Sequence, residues 1–128
     1  MITILRIVLL LGGLFFGWIG VGFLMDPAGS AEGFGMSARD THGLSTIRGD
    51  MAAFFTVGAL GLIWGAARRT ATPLIFTAAL FGVAIIGRAI NLLQVGDYAG
   101  WWMPMTVEAV TVVICLIAAR ALPATADA

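Results

Sequence analysis

Residues 44–95 read Leu-Ser-Thr-Ile-Arg48-Gly-Asp50-Met-Ala-Ala-Phe-Phe-Thr-Val-Gly-Ala-Leu-Gly61-Leu-Ile-Trp64-Gly65-Ala-Ala-Arg68-Arg69-Thr-Ala-Thr-Pro73, then a second apolar stretch to Val95. Two runs, each long enough to cross a hydrocarbon layer of roughly 30 Å, are joined by a link of a few residues. A link that short makes the two runs antiparallel neighbours. Proline at position 73 suits the start of a helix, where its missing N–H is not needed. Two arginines in such a short loop mark it as cytoplasmic, because the positive-inside bias is strongest in short loops.

Working outward, a further apolar run precedes this pair and another follows it. The first covers about residues 2–25 and stops at Asp26-Pro27; the last covers about 102–122 and stops at Pro123. A signal peptide is the rival reading of the first, with Arg6 before the run and small residues after it. Its apolar region is longer than the roughly 7–15 residues of a signal sequence, so we read it as a retained helix. The expected helices are therefore 2–25, 44–67, 73–95 and 102–122, with a polar, glycine-containing loop at 26–43. With the Arg68-Arg69 link inside, both termini are inside too, together with Arg6 and Arg120. Asp26, Glu32, Arg39, Asp40 and Asp97 then lie outside. The expectation is an all-α, four-transmembrane-helix bundle of one domain, N-in and C-in. Tyr98, Trp101 and Trp102 would anchor the outer interface and Trp64 the inner one.

Composition agrees. Of 128 residues 60% are hydrophobic and 11% charged, and the mean hydropathy is +1.01. A soluble domain carries about a quarter charged residues. Formal net charge is zero and every basic residue is an arginine, with no basic stripe, so nucleic acid is not an expected partner. One histidine, His42, and one cysteine, Cys115, argue against a haem or zinc site built by one chain, and no cofactor is expected. Cys115 is deep in the last run, where packing is its expected role. Gly13 with Gly17, and Gly61 with Gly65, have the four-residue spacing that allows close helix approach, within one bundle or between subunits.

Polar residues inside a bilayer are costly and mark sites or internal partners. Arg48 and Asp50 stand a turn or so into the second helix. Arg88, Asn91 and Gln94 recur every three residues on roughly one face of the third. Arg88 is seven residues before Val95 and Glu108 six or seven after the tryptophan pair, so both lie on the order of 10 Å deep at 1.5 Å per residue. All six fall in the outer half, and we take them as the candidate ligand-binding set. Glu108 would accept from Arg88 or from Arg48, with Asp50 neutralising the other arginine. His42, with Arg39 and Asp40, lies in the outer loop above this layer.

These residues carry a resemblance. The first helix is glycine-rich and ends in Met25-Asp-Pro27, and Arg48 opens the second. Gly87-Arg88 is followed by a polar residue and then Gly96, and Glu108 comes early in the fourth helix. In this the chain resembles the DUF4345 group, small bacterial four-helix membrane proteins of unknown function. Where that group often has a second glycine after the arginine, this chain reads Arg48-Gly-Asp-Met51. The resemblance implies the fold, a multi-pass place in a bacterial inner membrane and the arginine–glutamate pattern. It implies no reaction.

Several functions fit this reading. One is a bundle that binds a membrane lipid or small amphiphile in an outward-facing Arg/Glu cavity. Another is a structural or accessory subunit, packed on itself or on another membrane protein, whose charges are internal ion pairs. A small transporter is a third, though the first helix has no carboxylate before Asp26 and the inner half no polar path. Catalysis is the weakest, since no nucleophile, metal set or histidine accompanies the carboxylates.

Overall fold

The computed structural model describes residues 1–124. Between Arg6 and Asp26 no charged residue interrupts the chain, and α1 spans Ile2–Met25 without a break. In hydrocarbon every N–H and C=O must be paired internally, which a continuous helix achieves. Asp26 leaves helical geometry and its carboxylate accepts from the Gly29 N–H at 3.1 Å, capping a short helix α2 over Pro27–Glu32. The loop expected at 26–43 is thus partly helical. A second capping aspartate, Asp40, accepts from the Gly43 N–H at 2.8 Å and starts α3, Thr41–Thr46.

Helix α3 does not run straight on. Residues Ile47–Met51 form a π-helical turn before α4 resumes at Ala52–Arg68. Together these pieces form one span, Thr41–Arg68, that begins three residues before Leu44 because Asp40 supplies the cap. The C-terminus of α4 turns through Arg69 in the left-handed region, φ 52°. Helix α5 covers Ala71–Val95 and stops at Gly96, whose φ of 94° favours glycine. Helix α6 covers Trp102–Ala124.

No strand occurs among the described residues, and four helical spans are long and apolar enough to cross a membrane. Their outward faces carry Leu14, Trp18, Phe76, Val83 and Leu93, all well exposed. Such a surface suits lipid rather than water. We call the end with Asp26–Asp40 and the α5–α6 turn the loop end, and the opposite end, with Arg6, Arg68, Arg69 and Arg120, the arginine end.

Helix α1 packs along α4, and α5 along α6; α4 and α5 join the two pairs. Buried positions on α1 are Leu9, Gly13, Phe16, Gly20 and Phe23, alternating by four and three. The same alternation, Ala52, Phe55, Ala59, Leu62 and Ala66, runs along α4. Glycine sets the approach. A Cβ on Gly13 would strike Ile63 and come within 3.1 Å of the Ala59 carbonyl, and one on Gly20 would strike Thr56. On the other side of α4, Gly58, Gly61 and Gly65 meet Phe81, Thr77 and Leu74 of α5. The glycine spacings seen in the sequence are therefore taken up inside the chain, Gly13 and Gly17 toward α4, Gly61 and Gly65 toward α5. Cys115 is fully buried in the α6 face that also holds Ala118 and Leu122.

Candidate functional site

Helix α5 is held tightly only along half its length. Its buried residues are Leu74, Thr77, Ala78 and Phe81, and none beyond Phe81 is fully buried. Over its whole length its chief neighbour is α6. On α6 the buried face continues through Cys115 and Thr111 out to Glu108. The Thr111 hydroxyl donates to the Val107 carbonyl of its own helix, so it makes no demand on its neighbours. Glu108 has no local partner and takes one from α5.

That partner is Arg88. Its Nε donates to Glu108 Oε1 at 2.9 Å and to Oε2 at 3.1 Å. This is the one ion pair among the described residues, with the Glu108 side chain 7% and the Arg88 side chain 33% exposed. The two opposite charges that residue counting puts at one level meet one another in the structure. The mode of pairing matters. A bidentate fork would commit Nε together with an Nη group. Here both carboxylate oxygens converge on the single Nε–H, and the four Nη N–H donors have no acceptor among the described residues. They belong to a half-buried side chain whose Nε donor is engaged.

Asn91 and Gln94 follow on the next turns of α5 toward the loop end. Both are exposed and neither makes a hydrogen bond among the described residues. Arg88, Asn91 and Gln94 thus carry a polar line along the part of α5 that lies beyond its last buried residue, Phe81.

Arg48 and Asp50 are placed elsewhere. In an unbroken α-helix Arg48, four residues before Ala52, would share the buried face of Ala52 and Phe55. The π turn contains an additional residue, so Ile47 and Met51 take that face and pack against the core. Arg48 and Asp50 are exposed and form no hydrogen bond or ion pair among the described residues. Their segment packs on α1 and α2 rather than along α5 or α6. The pairing of Glu108 is therefore with Arg88, and Asp50 neutralises neither arginine. His42 is exposed on α3, while the Asp40 carboxylate is committed to its helix cap.

Several features of the site region are not visible as motifs. A cluster of phenylalanines fills the space between α1, α4 and the start of the loop half of α5. Phe16 lies 4.7 Å from Phe81 between ring centroids, and Phe23 stacks on Phe55 at 5.9 Å. Phe34, in the loop after α2, closes over them at 5.4 Å from both Phe23 and Phe55. The seven-residue step from Phe16 to Phe23, in phase with Gly13 and Gly20, was the available signal. An apolar cleft of about 400 Å³ also opens between α1 and α6, where these helices barely touch, lined by Val8, Gly12, Phe15, Leu62, Val110 and Ile114 among others. It flanks the turn of α6 that bears Glu108.

No group of three or more His, Cys, Asp or Glu side chains able to hold a metal ion occurs among the described residues. No curated protein and no solved structure matches the chain. A family profile does match, over residues 4–119, nearly the whole length; by that match the chain belongs to the family described as a domain of unknown function, DUF4345.

Proposed function

We propose that this protein is a multi-pass protein of the bacterial inner membrane, N-in and C-in, that binds an amphiphile at its loop end. The head of that molecule, carrying phosphate or carboxylate oxygens, docks on the free Nη groups of Arg88. Asn91 and Gln94 then supply further donors and acceptors. Arg88, Asn91, Gln94 and Glu108 form the head site; Arg48 and Asp50 border the outer opening at a distance from it. The observation that carries the reading is the unshared fork of Arg88. A guanidinium fixed through Nε is oriented in advance, so little rotamer freedom remains to be lost on binding. Glu108 acts as the positioning carboxylate. The apolar cleft beside α6 offers space for a hydrocarbon tail.

The N-in orientation is supported by the charges: four arginines and no carboxylate at one end of the described chain, mixed charges at the other. A subunit that binds partners through its glycine faces is less favoured, since Gly13, Gly17, Gly61 and Gly65 already face neighbours in the same chain.

Native mass spectrometry from mild detergent tests the site, with Arg88→Lys as the informative variant. Its ammonium can still pair with Glu108, so the fold is retained, but it has no fork to offer. A discrete adduct on the wild type, lost from an Arg88→Lys protein of unchanged melting temperature, is expected. The same adduct on both proteins, or none on either, means that the pair only sets α5 on α6.

A further inference from the structure

The arginine end carries a second arrangement, independent of the first. Arg6, Arg68, Arg69 and Arg120 lie there, whereas all six acidic residues of the described chain lie in the loop half. Three of the four arginines gather around the C-terminus of α4. Arg68 is its last residue and Arg69 follows. Arg6 reaches across from α1, where its Nε donates to the Ala66 carbonyl at 3.0 Å. That bond uses one of five N–H donors. The remaining donors of Arg6, and the side chains of Arg68 and Arg69, have no acceptor among the described residues.

Cations near a helix C-terminus are favourable in themselves, and this explains Arg6 on the Ala66 carbonyl. It does not explain Arg69. This residue is the only non-glycine in the left-handed region among the described residues, and its N–H closes the helix on the Gly65 carbonyl. Glycine would make the same bond without strain, and the chain uses glycine 17 times. A strained arginine kept at a glycine position points to work for its side chain. One turn before Arg68, Trp64 is 61% exposed, as befits an indole at the lipid–water boundary. The guanidinium groups just beyond it therefore stand at headgroup level.

We propose that this end holds an anionic phospholipid of the leaflet it enters, with Arg6, Arg68 and Arg69 around the headgroup phosphate. Charge complementarity selects the occupant: several unpaired guanidinium groups, no carboxylate among them, and an apolar helix surface beneath for the acyl chains. The site would tie this part of the chain to lipid composition and would reinforce the orientation set by the same charges.

The test follows the melting temperature of the intact protein in nanodiscs of phosphatidylcholine containing a rising fraction of phosphatidylglycerol. Wild type, Arg69→Gly, and the double variant Arg68→Gln with Arg69→Gly are compared. Arg69→Gly is expected to melt higher than wild type in pure phosphatidylcholine, because its backbone is relaxed. Its response to phosphatidylglycerol should nevertheless need about fivefold more of the lipid, and that of the double variant about 25-fold more. High salt should shrink the wild-type response. An equal response in all three proteins, no response in the wild type, or equal stabilisation by inorganic phosphate without the lipid, overturns the proposal.

Discussion

Along the seam between α4 and α5, the arginine half is closed by direct backbone approach. Gly61 admits Thr77, Gly65 admits Leu74, and the Thr77 hydroxyl donates to the Pro73 carbonyl at 2.9 Å. The loop half is held by other means: phenylalanine rings between α1 and α4, Phe34 closing over them, and one ion pair between α5 and α6. In lipid the hydrophobic effect does not drive helices together, so close contact of small residues must supply the attraction. Beyond Phe81 no residue of α5 is fully buried, and polar side chains appear. One half specifies the fold, and the other is free to hold something.

The sharpest way to break this comparison is to remove the ion pair. Arg88→Ala leaves Glu108 buried without a partner. A loss of about 3 kcal/mol is expected, the lower end for buried pairs because Arg88 is partly exposed. Adding Glu108→Ala should recover much of that loss, since the penalty is the orphaned carboxylate. Denaturant titration of the four proteins in a double-mutant cycle measures it. If Glu108→Ala recovers nothing, the pair is not the loop half's internal tie, and Arg88 acts through contacts outside the chain.

Next in size is the seam itself. Gly61→Ala gains helix propensity, but its methyl group would collide with Thr77 and lie 3.1 Å from the Pro73 carbonyl. Backbone cannot yield as a flexible side chain can. A net loss of about 1–3 kcal/mol is expected, read as a fall in melting temperature. A neutral result would mean that α4 and α5 separate easily in the arginine half as well.

Much of the architecture was legible because hydropathy and stop signals are one-dimensional. Asp26-Pro27, Arg68-Arg69 and Gly96 punctuate the chain, and four spans follow; Pro123, expected to stop the last helix, lies inside it. Depth was legible for the same reason, since counting residues from a stop places Arg88 and Glu108 at one level. Azimuth was not. A helix that is apolar all round shows no polar face to read, so which side of α4 met α1 and which met α5 waited on contacts. Arg48 shows the limit most clearly. Its α-helical phase matches Ala52 and Phe55, yet a π turn hands that place to Ile47. Nothing in Ile-Arg-Gly-Asp-Met announces the additional residue. Partner choice for Glu108 depended on that turn, because it is what carries Arg48 away from the buried face.

The smallest expected effect sharpens the contrast from the opposite direction. Gly82 and Gly87 lie on the open half of α5, and a Cβ at either would meet nothing within 4 Å. Neither has a positive φ, so alanine fits the backbone of both. Without a neighbour to approach, glycine there only loosens the unfolded chain. Gly82→Ala and Gly87→Ala should each stabilise by about 0.4–1 kcal/mol, opposite in sign to Gly61→Ala on the facing helix. Melting curves in one detergent, with the ligand adduct monitored alongside, check both arms. Gly87 precedes Arg88, so a stabilised Gly87→Ala protein that keeps its adduct would show that the head site tolerates a stiffer α5. Destabilisation of either variant would mean that something outside the chain, a second copy or a lipid held in place, packs against this stretch and closes the half that looks open.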